Sequence, residues 1–445
     1  MSRSAGPVGH LESALPRGPA AGGIGTDAPA EMGEQMATNT DHTKQPMAGA
    51  DHTGPLAGVK VLDLSIALTG PYCAALLADQ GAQVVKVERP GIGDIARWVG
   101  VAVNNMSAFY LACNRGKRCI AVDLGSTEGR EIVLQLAAEA DVVLQNFRPG
   151  VIDRLGLGYE AVRAVNPEVI YASISGYGPV GPYRDRSAYD TSIQAYAGFA
   201  ATQAEVDGPP TFIKQNAADK VSSLYAFQAI TAALYARAVG RGGQHLEMGM
   251  NDACVSFLWA EAAGNEVLLD SDGTMPSSFN AGFAPMRFAD GWGIVVPTTD
   301  ADFAGMCKAL DVPGWDDPRV RTVAERRKHR DVLEPIMDMC YAMASNFTQA
   351  EVIERFERER VAFAMVLSAA EMVDDPHAVA IGMFEEFDHP VVGRARLPRH
   401  PTNFHGTPAT LAAGAPALGQ HTDEVLTELG FGDRIEALRA SGVVA

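Results

Sequence analysis

Asp219 is the carboxylate in this chain whose position best suits covalent chemistry. It opens a long apolar segment at residues 217–239, and the spacing of that segment predicts a helix. A carboxylate in a first helical turn lies near free backbone N–H groups and the positive end of the helix dipole, so its anionic form is favoured. An anion on a rigid element can attack an acyl group repeatedly in one geometry. Aspartate is also an ordinary helix start, so Asp219 alone permits both interpretations.

Basic residues are concentrated in one interval of the chain that contains only two acidic residues, Glu88 and Asp94. Guanidinium groups bind phosphate in a bidentate manner, so such an interval is typical of a site for a phosphorylated ligand. A solvated surface that balances the acidic background is the alternative, and residue types alone do not decide between the two. The basic residues are Lys86, Arg89, Arg97, Arg115, Lys117 and Arg118.

The elements that must position these side chains alternate between strand and helix. Repeated βαβ units predict a doubly wound α/β domain, whose ligands bind at the carboxyl ends of the strands. Short apolar runs between turn residues predict strands at residues 58–65, 83–88, 118–123, 141–145 and 168–174. Helical spacing predicts helices at residues 71–80, 127–138 and 159–165.

Two groups of residues stand directly after predicted strands. Arg89 follows one strand, and the run Asn146, Phe147, Arg148 follows another, so both lie at the sheet edge where a nucleotide is expected. This position favours the ligand-binding interpretation of the basic interval. The turn after the first strand, residues 67–71, lacks the Gly-x-Gly-x-x-Gly fingerprint, and the chain has no Walker-type loop, which disfavours a dehydrogenase.

Bulk properties exclude several classes of function. The chain has 445 residues, enough for two domains, and its formal net charge of -18 disfavours non-specific binding to nucleic acid or to an anionic membrane. No apolar run reaches the length of a membrane span. The six cysteines include no Cys-x-x-Cys pair, which predicts reduced thiols in a cytoplasmic protein without a metal site. We interpret His245 and His421 as structural, and Asp207, in an Asp-Gly-Pro-Pro sequence, as a turn residue.

The ends of the chain differ from its centre. Residues 1–54 have no aromatic residue and are rich in Gly, Ala, Pro, Thr and Met, which predicts a disordered extension. The later segments are mostly helical, with helices expected within residues 247–268, 331–360, 422–429 and 433–440. A loop is expected at residues 276–285 and a hairpin around Asp-Gly at residues 286–296.

From residue 55 to residue 444 the chain resembles CoA-transferase family III, the carnitine and bile-acid CoA-transferase family that includes the formyl-CoA transferases. Many motifs in the family's order are more specific than any one of them. They are residues 58–64 (Gly-Val-Lys-Val-Leu-Asp-Leu), 81–89 (Gly-Ala-Gln-Val-Val-Lys-Val-Glu-Arg), 114–118 (Asn-Arg-Gly-Lys-Arg), 146–150 (Asn-Phe-Arg-Pro-Gly), 173–178 (Ser-Ile-Ser-Gly-Tyr-Gly), 207–210 (Asp-Gly-Pro-Pro), 218–219 (Ala-Asp) and 416–422 (Pro-Ala-Leu-Gly-Gln-His-Thr).

The resemblance implies a large Rossmann-like doubly wound domain plus a smaller α+β domain, in a ring-shaped subunit that interlocks with a second copy as a homodimer. Residues 55–260 would form the first part of the large CoA-binding domain, and residues 261–390 the small domain with its linkers. Residues 391–445 would return to the large domain. Active sites of such dimers lie near the subunit interface.

The same resemblance implies a CoA-transferase that moves CoA from an acyl-CoA thioester to a small free carboxylic acid, with Asp219 as nucleophile. An aspartyl acyl-enzyme forms, and CoA is a substrate, with no permanently bound cofactor and no metal implied. Backbone N–H groups of residues 175–178 are candidates to stabilise the oxyanions. The family positions that contact CoA correspond to Leu68, Thr69, Arg89, Val122, Gly125, Asn146, Phe147, Arg154 and Leu155.

Some departures from the formyl-CoA enzymes leave the acid specificity open. Leu68 and Thr69 differ from the residues of those enzymes, and Ser187 stands where they have a lysine. No Gly-rich loop like theirs lies between residues 262 and 285. Asp190 matches an acidic position near the family's active site and is a second candidate for chemistry.

The second possible function is that of a 2-methylacyl-CoA racemase, because racemases share the fold and the aspartate that matches Asp219. They pair this aspartate with a histidine that moves the α-proton. This chain has Tyr189 instead, whose high intrinsic pKa makes it a poor proton shuttle, so a transferase is favoured. A CoA-binding protein without catalysis is the third possibility, expected if Asp219 is buried away from any cavity.

Overall fold

A parallel six-stranded sheet lies at the centre of the computed structural model, which describes residues 53–204, 208–270, 283–410 and 414–445. Asp207, most of the loop predicted at 276–285 and nearly all of the extension predicted at 1–54 lie outside these ranges.

The elements alternate as predicted through the first half of the chain. Up to the last strand of the large sheet they are β1 (Lys60–Asp63), α1 (Thr69–Asp79), β2 (Gln83–Glu88), β3 (Ala102–Val103), β4 (Met106–Ser107), α2 (Ala108–Asn114), β5 (Lys117–Ala121), α3 (Thr127–Glu139), β6 (Val142–Gln145), α4 (Val151–Arg154), α5 (Tyr159–Val165), β7 (Ile170–Ser175), α6 (Asp190–Tyr196), α7 (Phe199–Thr202), α8 (Ala217–Ala236) and β8 (Gln244–Gly249). The elements that follow are α9 (Met250–Trp259), α10 (Gly264–Val267), β9 (Met286–Arg287), β10 (Trp292–Val295), α11 (Asp300–Ala309), α12 (Val323–Lys328), α13 (Arg330–Ala344), α14 (Gln349–Glu359), β11 (Phe363–Met365), α15 (Ala369–Asp374), α16 (Pro376–Ala380), β12 (Phe384–His389), β13 (Gly393–Pro398), α17 (Thr422–Glu428) and α18 (Ile435–Ala440).

The strand order of the large sheet is β5-β2-β1-β6-β7-β8, and all neighbouring strands are parallel. The order reverses between β1 and β6, which is the arrangement of a doubly wound fold and confirms the predicted α/β class. Alternate side chains of a strand face opposite sides, so Val142 and Leu144 pack towards α1 and α8, while Val143 packs towards α3 and α5. Both faces of the sheet are therefore covered by helices.

The helical prediction for residues 247–268 is wrong at its start. Residues Gln244–Gly249 form strand β8, which pairs with β7 at the edge of the sheet, and helix α9 begins only at Met250. The strand contains Gln244, His245 and Glu247, so it lacks the continuous apolar run of the inner strands. Pairing with β7, which lies far away in the sequence, determines this conformation.

The C-terminal segment covers the other edge of the sheet. The N–H groups of Cys119 and Ala121 in β5 donate to Nδ1 of His421 at 3.0 Å and to Oγ1 of Thr422 at 3.1 Å. Burial lowers the pKa of His421, which keeps Nδ1 unprotonated and able to accept. Pairing an edge strand in this way removes free N–H groups that would otherwise bind other chains. His421 has the structural role that the sequence predicts.

A separate hydrophobic cluster lies within residues 286–361 and contains Phe303, Met306 and Phe356. The predicted hairpin is present as β9 and β10. Leu397, from the β12–β13 hairpin, packs instead against Tyr110, and this hairpin spans the predicted domain boundary at residue 390. The boundaries of the small domain stay predictions.

In the described parts of the chain, no helix combines the length and apolar character needed to cross a membrane. The same parts contain no group of three or more His, Cys, Asp or Glu side chains arranged to hold a metal ion.

Leu426 tests the packing of the C-terminal segment. Its side chain is fully buried beside β5, so Leu426→Ala leaves a cavity and should lower the free energy of unfolding by roughly 2–5 kcal/mol. Urea unfolding followed by circular dichroism measures the change. Leu367→Ala, at a position that is 40% exposed, is the matched control and should cost less than about 1 kcal/mol. Equal losses in the two variants would contradict this packing.

Candidate active site

Asp219 lies in the first turn of α8, as predicted, and contacts the start of another helix. The hydroxyl of Thr69, the first residue of α1, donates a hydrogen bond to Oδ1 of Asp219. Oγ of Ser223 lies 2.7 Å from the carbonyl oxygen of Thr69 and 2.8 Å from that of Asp219. Two predicted site residues that are 150 positions apart are therefore in direct contact, and the N-terminal ends of α1 and α8 are joined.

Asp190 supports the first turn of α8. Its Oδ1 accepts the backbone N–H of Asp219 at 3.0 Å, and its Oδ2 accepts from Nε2 of Gln194 at 2.6 Å. Asn216, at the N-cap of α8, makes no capping hydrogen bond through its side chain, so Asp190 in α6 satisfies this N–H instead. Both oxygens of Asp190 are engaged, which gives it a positioning role.

The electrostatics of Asp219 favour a reactive carboxylate. Burial raises its pKa to about 6, the hydrogen bond from Thr69 opposes the rise, and the negative charge of Asp190 adds to it. At pH 7 the group is mostly ionised. A carboxylate with a raised pKa is more basic than an ordinary aspartate, and therefore a better nucleophile.

The loops that follow β1 and β6 meet where the strand order reverses. Asn146 joins them, because its amide oxygen accepts the N–H of Ile66 at 2.9 Å and its amide nitrogen donates to the Ile66 carbonyl at 2.8 Å. Ligands of doubly wound sheets bind in the crevice at this point. Four predicted CoA contacts lie on or directly after these two loops: Leu68 and Thr69 are buried, and Asn146 and Phe147 are half-buried.

A buried group of charged side chains lies beneath the loop after β1. Nζ of Lys117 is 2.8 Å from Oδ2 of Asp63, and Nζ of Lys86 is 2.9 Å from Oδ2 of Asp94. None of the four residues is more than 4% exposed. Burial alone would raise the pKa of Asp63, but the ammonium groups of Lys117 and Lys86 outweigh it and hold that pKa below its ordinary value. The Asp63 carboxylate therefore stays ionised, and the ion pairs make the four side chains mutually dependent.

These charges hold the main chain of the loop. Lys86 donates to the carbonyl of Ser65 at 2.7 Å, and Asp63 accepts the Ser65 N–H at 2.9 Å. Asp94 accepts the N–H of Ala67 at 2.9 Å. Ala67 has a φ of 65°, a left-handed conformation that costs a non-glycine residue roughly 1–2 kcal/mol. The buried charges thus keep a strained loop, and with it the start of α1, in one conformation.

The prediction that the basic interval binds a phosphorylated ligand is wrong for five of its six residues, because they form ion pairs within the protein. Most of their acidic partners lie outside the interval, which a local count of charges does not detect. The pairs are Lys86–Asp94, Lys117–Asp63, Arg97–Glu88, Arg115–Asp79, Arg118–Glu424 and Arg118–Glu428.

Arg89 is the member of the interval without an ion pair among the described residues, and it is exposed directly after β2. Arg148 and Arg154 follow β6 and are likewise exposed and unpaired within the part of the chain that the structure describes. Three guanidinium groups beyond the carboxyl ends of β2 and β6, the strands on either side of β1, are available to phosphate groups. The resemblance does not include Arg148 among the CoA contacts, although its position directly after a strand end is a signal in the sequence.

The other predicted contacts differ in their access to this edge. Gly125 is exposed just after β5, and its N–H donates to Oδ1 of Asp123 at 3.0 Å. Phe147 and Leu155 are half-buried against the same hydrophobic cluster. Val122 is completely buried, so its side chain packs in the core and is not available to a ligand.

Two positioning residues, Gln194 and Ser223, are absent from the predictions. Gln194 is fully buried and holds Asp190, while Ser223 joins α8 to α1. Each lies four residues after a candidate carboxylate on the same helix, and this spacing is the signal that identifies them.

Asp219 is half-buried, and the CoA-binding protein without catalysis stays an alternative prediction. A cavity of about 850 Å³ is lined by residues that include Tyr196, Asn251 and Trp259. Cys254 in α9 contacts the Ala218 carbonyl, next to Asp219, with a separation of 3.6 Å.

Comparisons with known proteins agree with this geometry. The family model described as CoA-transferase family III matches residues 56–422. Succinyl-CoA:glutarate CoA-transferase of Mus musculus is 32% identical, over 90% of this chain and 93% of its own. Formyl-CoA:oxalate CoA-transferase of Rhodopseudomonas palustris (strain BisA53) is 30% identical, over 88% of this chain and 98% of its own. The crystal structure of a CAIB/BAIF family protein from Brucella suis superposes with a TM-score of 0.74 at 32% identity, covering 85% of this chain and all of that one. The parallel sheet, the crevice at its reversal point and these matches together establish that the chain belongs to CoA-transferase family III.

Proposed function

We propose that this protein moves CoA from an acyl-CoA thioester to a free carboxylic acid, with Asp219 as the nucleophile. The observation that carries the proposal is the contact between Asp219 and Thr69. Thr69 follows the loop that lines the crevice, so the carboxylate stands beside the expected position of a nucleotide-linked thioester. Family membership supports CoA transfer as the reaction class.

The three unpaired arginines support an arrangement of CoA along the carboxyl edge of the sheet. Arg89, Arg148 and Arg154 would bind the phosphate groups, since guanidinium and phosphate form charge-assisted bidentate pairs. The pantetheine arm would then run past the joined loops at Ile66 and Asn146 towards Asp219. Binding energy from the distant nucleotide would in this way hold the thioester carbon near the carboxylate.

The reaction begins when Oδ2 of Asp219 attacks the thioester carbon. The carbon–sulfur bond breaks, and a mixed anhydride and CoA thiolate form. The thiolate then attacks Cγ of Asp219, releases the donor carboxylate and gives an aspartyl-CoA thioester. The acceptor carboxylate displaces the thiolate to form a second anhydride. Attack of the thiolate on the acceptor's acyl carbon yields the new acyl-CoA and restores the Asp219 carboxylate.

The hydrogen bond from Thr69 gives the two oxygens of Asp219 different roles. Oδ1 accepts the Thr69 hydroxyl, which leaves Oδ2 free to attack. Once Oδ2 is acylated, Oδ1 is the carbonyl oxygen of the anhydride, and attack on Cγ moves negative charge onto it. Thr69 is then a donor aimed at the developing oxyanion.

The glycine loop after β7 supplies candidate donors for the oxyanion on the acyl carbon. A Cβ atom at Gly176 would lie 2.2 Å from Cβ of Ala188, so only glycine fits there. Gly178 has a φ of 80°, which also favours glycine. The loop thus approaches the segment that leads to Asp190 closely, with its backbone N–H groups as donors.

The racemase alternative would need a second group that moves the α-proton. Tyr189 occupies the discriminating position and is 76% exposed, and within the described residues no hydrogen bond joins its side chain to Asp219. A racemase would exchange solvent deuterium into a 2-methylacyl-CoA without any acceptor acid, whereas the proposed transferase would not.

Asp219→Asn should abolish CoA transfer while CoA binding is retained, because the amide is not a nucleophile. Transfer from succinyl-CoA to glutarate, the substrates named for the mouse relative, is followed by chromatography of the acyl-CoA products. Wild-type enzyme incubated with acyl-CoA and hydroxylamine should carry a hydroxamate at Asp219, located by mass spectrometry.

The matched control for this variant is Asp185→Asn, an exposed aspartate paired with Arg184, and it should transfer CoA at the wild-type rate. Native activity of Asp219→Asn, or hydroxamate at another carboxylate, would overturn the assignment of the nucleophile.

The transfer rate should fall as the pH drops through about 6, because burial raises the pKa of Asp219 to about 6 and only the ionised form attacks. Thr69→Val removes a donor that stabilises the ionised form, so this acid limb should move to higher pH and the maximal rate should decrease. A pH profile of kcat/KM measures both effects. Thr427→Val, at an exposed position, is the control, and an unshifted limb in Thr69→Val would refute the role of the hydroxyl.

We propose further that two copies of the chain form the interlocked homodimer that the family resemblance implies. Leu224 and Tyr235 on α8 are 53% and 71% exposed, and Phe257 on α9 is 56% exposed. Exposed apolar side chains grouped on two packed helices favour a protein interface. Multi-angle light scattering should give twice the mass of one chain, and Tyr235→Glu should lower it, unlike the control Val379→Glu. A fully active monomer would exclude the dimer.

A further inference from the structure

A chain of hydrogen bonds crosses three neighbouring strands of the large sheet. Gln145 at the end of β6 donates through Nε2 to Oγ of Ser173 in β7 at 2.9 Å. Oγ of Ser173 lies 2.9 Å from Nε2 of His245 in β8. At its other end, Oε1 of Gln145 accepts the backbone N–H of Phe147 at 2.8 Å. The chain therefore runs from a histidine on the edge strand to the main chain of the loop after β6.

The groups at the two ends of this series of hydrogen bonds determine which atom donates and which accepts at each step. The N–H of Phe147 needs an acceptor, so the oxygen of the Gln145 amide faces it and the nitrogen faces Ser173. Oγ of Ser173 already accepts from this nitrogen, and its own proton is free to go to Nε2 of His245. His245 must then be neutral, with its proton on Nδ1.

The surroundings of His245 favour the neutral form. Its ring stacks on Tyr159 at a centroid distance of 4.5 Å and meets the edge of Tyr171 at 5.4 Å. Burial lowers its pKa, opposed by the charges of Glu247 on its own strand, Asp153 on α4 and Glu160 on α5. If His245 were protonated, Nε2 would donate to Ser173, and the hydroxyl proton of Ser173 would lose its acceptor.

The loop after β6, where this chain of hydrogen bonds ends, is held from two sides. Asn146 is bound to Ile66 of the loop after β1, and Phe147 is bound by Gln145, which is 4% exposed. These hydrogen-bonded side chains lie on the face of the sheet opposite α8. Tyr171 lies on the same face and belongs to the hydrophobic cluster around α3 and α5. The hydrogen-bonded side chains therefore act on the crevice without touching Asp219.

We propose that Gln145, Ser173 and His245 are positioning residues that set the geometry of residues 146–150 for CoA binding, a role that rests on the proposed CoA-transferase function. Loss of the acceptor leaves the Phe147 N–H unsatisfied and lets the loop move. The move changes the Asn146–Ile66 contact, and with it the width of the crevice. Binding of acyl-CoA suffers, while the chemistry at Asp219 on the other face of the sheet is preserved.

Gln145→Met removes both hydrogen bonds of the amide with little change in volume. We expect KM for acyl-CoA to rise roughly 5- to 30-fold, the ratio that corresponds to one lost buried hydrogen bond, with kcat nearly unchanged. Calorimetric titration with CoA should show the same loss of affinity. Hydrogen exchange of residues 146–150 should become faster.

Gln145→Glu is the conservative rescue, because one carboxylate oxygen still accepts the Phe147 N–H. Its other oxygen accepts from the Ser173 hydroxyl, so Nε2–H of His245 now donates to Ser173 and the direction of the chain reverses. KM should stay close to the wild-type value, and the pKa of His245, followed by NMR titration, should rise. The new carboxylate also raises this pKa through its charge alone, so the change in KM at constant kcat and the loop exchange distinguish positioning from a merely structural role.

The matched control is Tyr171→Phe, which removes a 2.7 Å hydrogen bond to the Leu157 carbonyl on the same face of the sheet but leaves Phe147 untouched. It should lower stability without raising KM. If Gln145→Met does not fold, the same measurements are made on Ser173→Ala and Gln145→Glu.

Wild-type KM, CoA affinity and loop exchange in Gln145→Met would overturn the positioning role, as would a His245 pKa that Gln145→Glu leaves unmoved. If these results occur while Asp219→Asn is inactive, the positioning proposal fails and the transferase proposal stands. If Asp219→Asn is fully active, the proposed function fails, and CoA titration with loop exchange still decides whether the chain positions the loop.

Discussion

The buried charges of Asp63, Lys86, Asp94 and Lys117 are the constraint on which the rest of the site depends. Charged groups removed from water are stable only while each has its partner, so these side chains act as one rigid unit. Asp63, Lys86 and Asp94 also form hydrogen bonds with the main chain of the loop after β1, including strained Ala67. Charge-assisted hydrogen bonds are stronger than those between neutral groups, and the loop is therefore fixed before any ligand binds. The position of α1 follows from it.

The starts of three helices, α1, α6 and α8, meet at Asp219. Thr69 at the start of α1 and Asp190 at the start of α6 bind the side chain and the main chain of Asp219, respectively. Two carboxylates so close together in a partly buried site would repel each other. The free N–H groups and positive dipole ends of the helices offset part of this cost. Burial raises the pKa of Asp219 to about 6, the hydrogen bond from Thr69 opposes the rise, and the charge of Asp190 adds to it.

The arginine residues near the site fall into two groups, those in buried ion pairs and those without an ion pair among the described residues. Arg97 and Arg115 form buried ion pairs. Arg89, Arg148 and Arg154 have no ion pair within the described residues and lie at one edge of the sheet. A chain with a net charge of -18 repels anions at long range, so an anionic ligand depends on such a local group. Under the proposed function, the reversal of strand order supplies the binding position and these guanidinium groups supply the attraction.

The sequence by itself determined the βαβ pattern, the helix that begins near Asp219 and the family, because periodicity, turn residues and motifs act over short stretches of chain. Only the tertiary structure decided that residues 244–249 form a strand and that most of the basic interval is buried in ion pairs. It also decided that Asp190 caps the helix of Asp219 and that Thr69 binds that carboxylate. Many of these contacts join partners that are distant in the chain, 150 positions apart for Thr69 and Asp219 and 306 for Arg118 and Glu424, and local patterns carry no information about such partners.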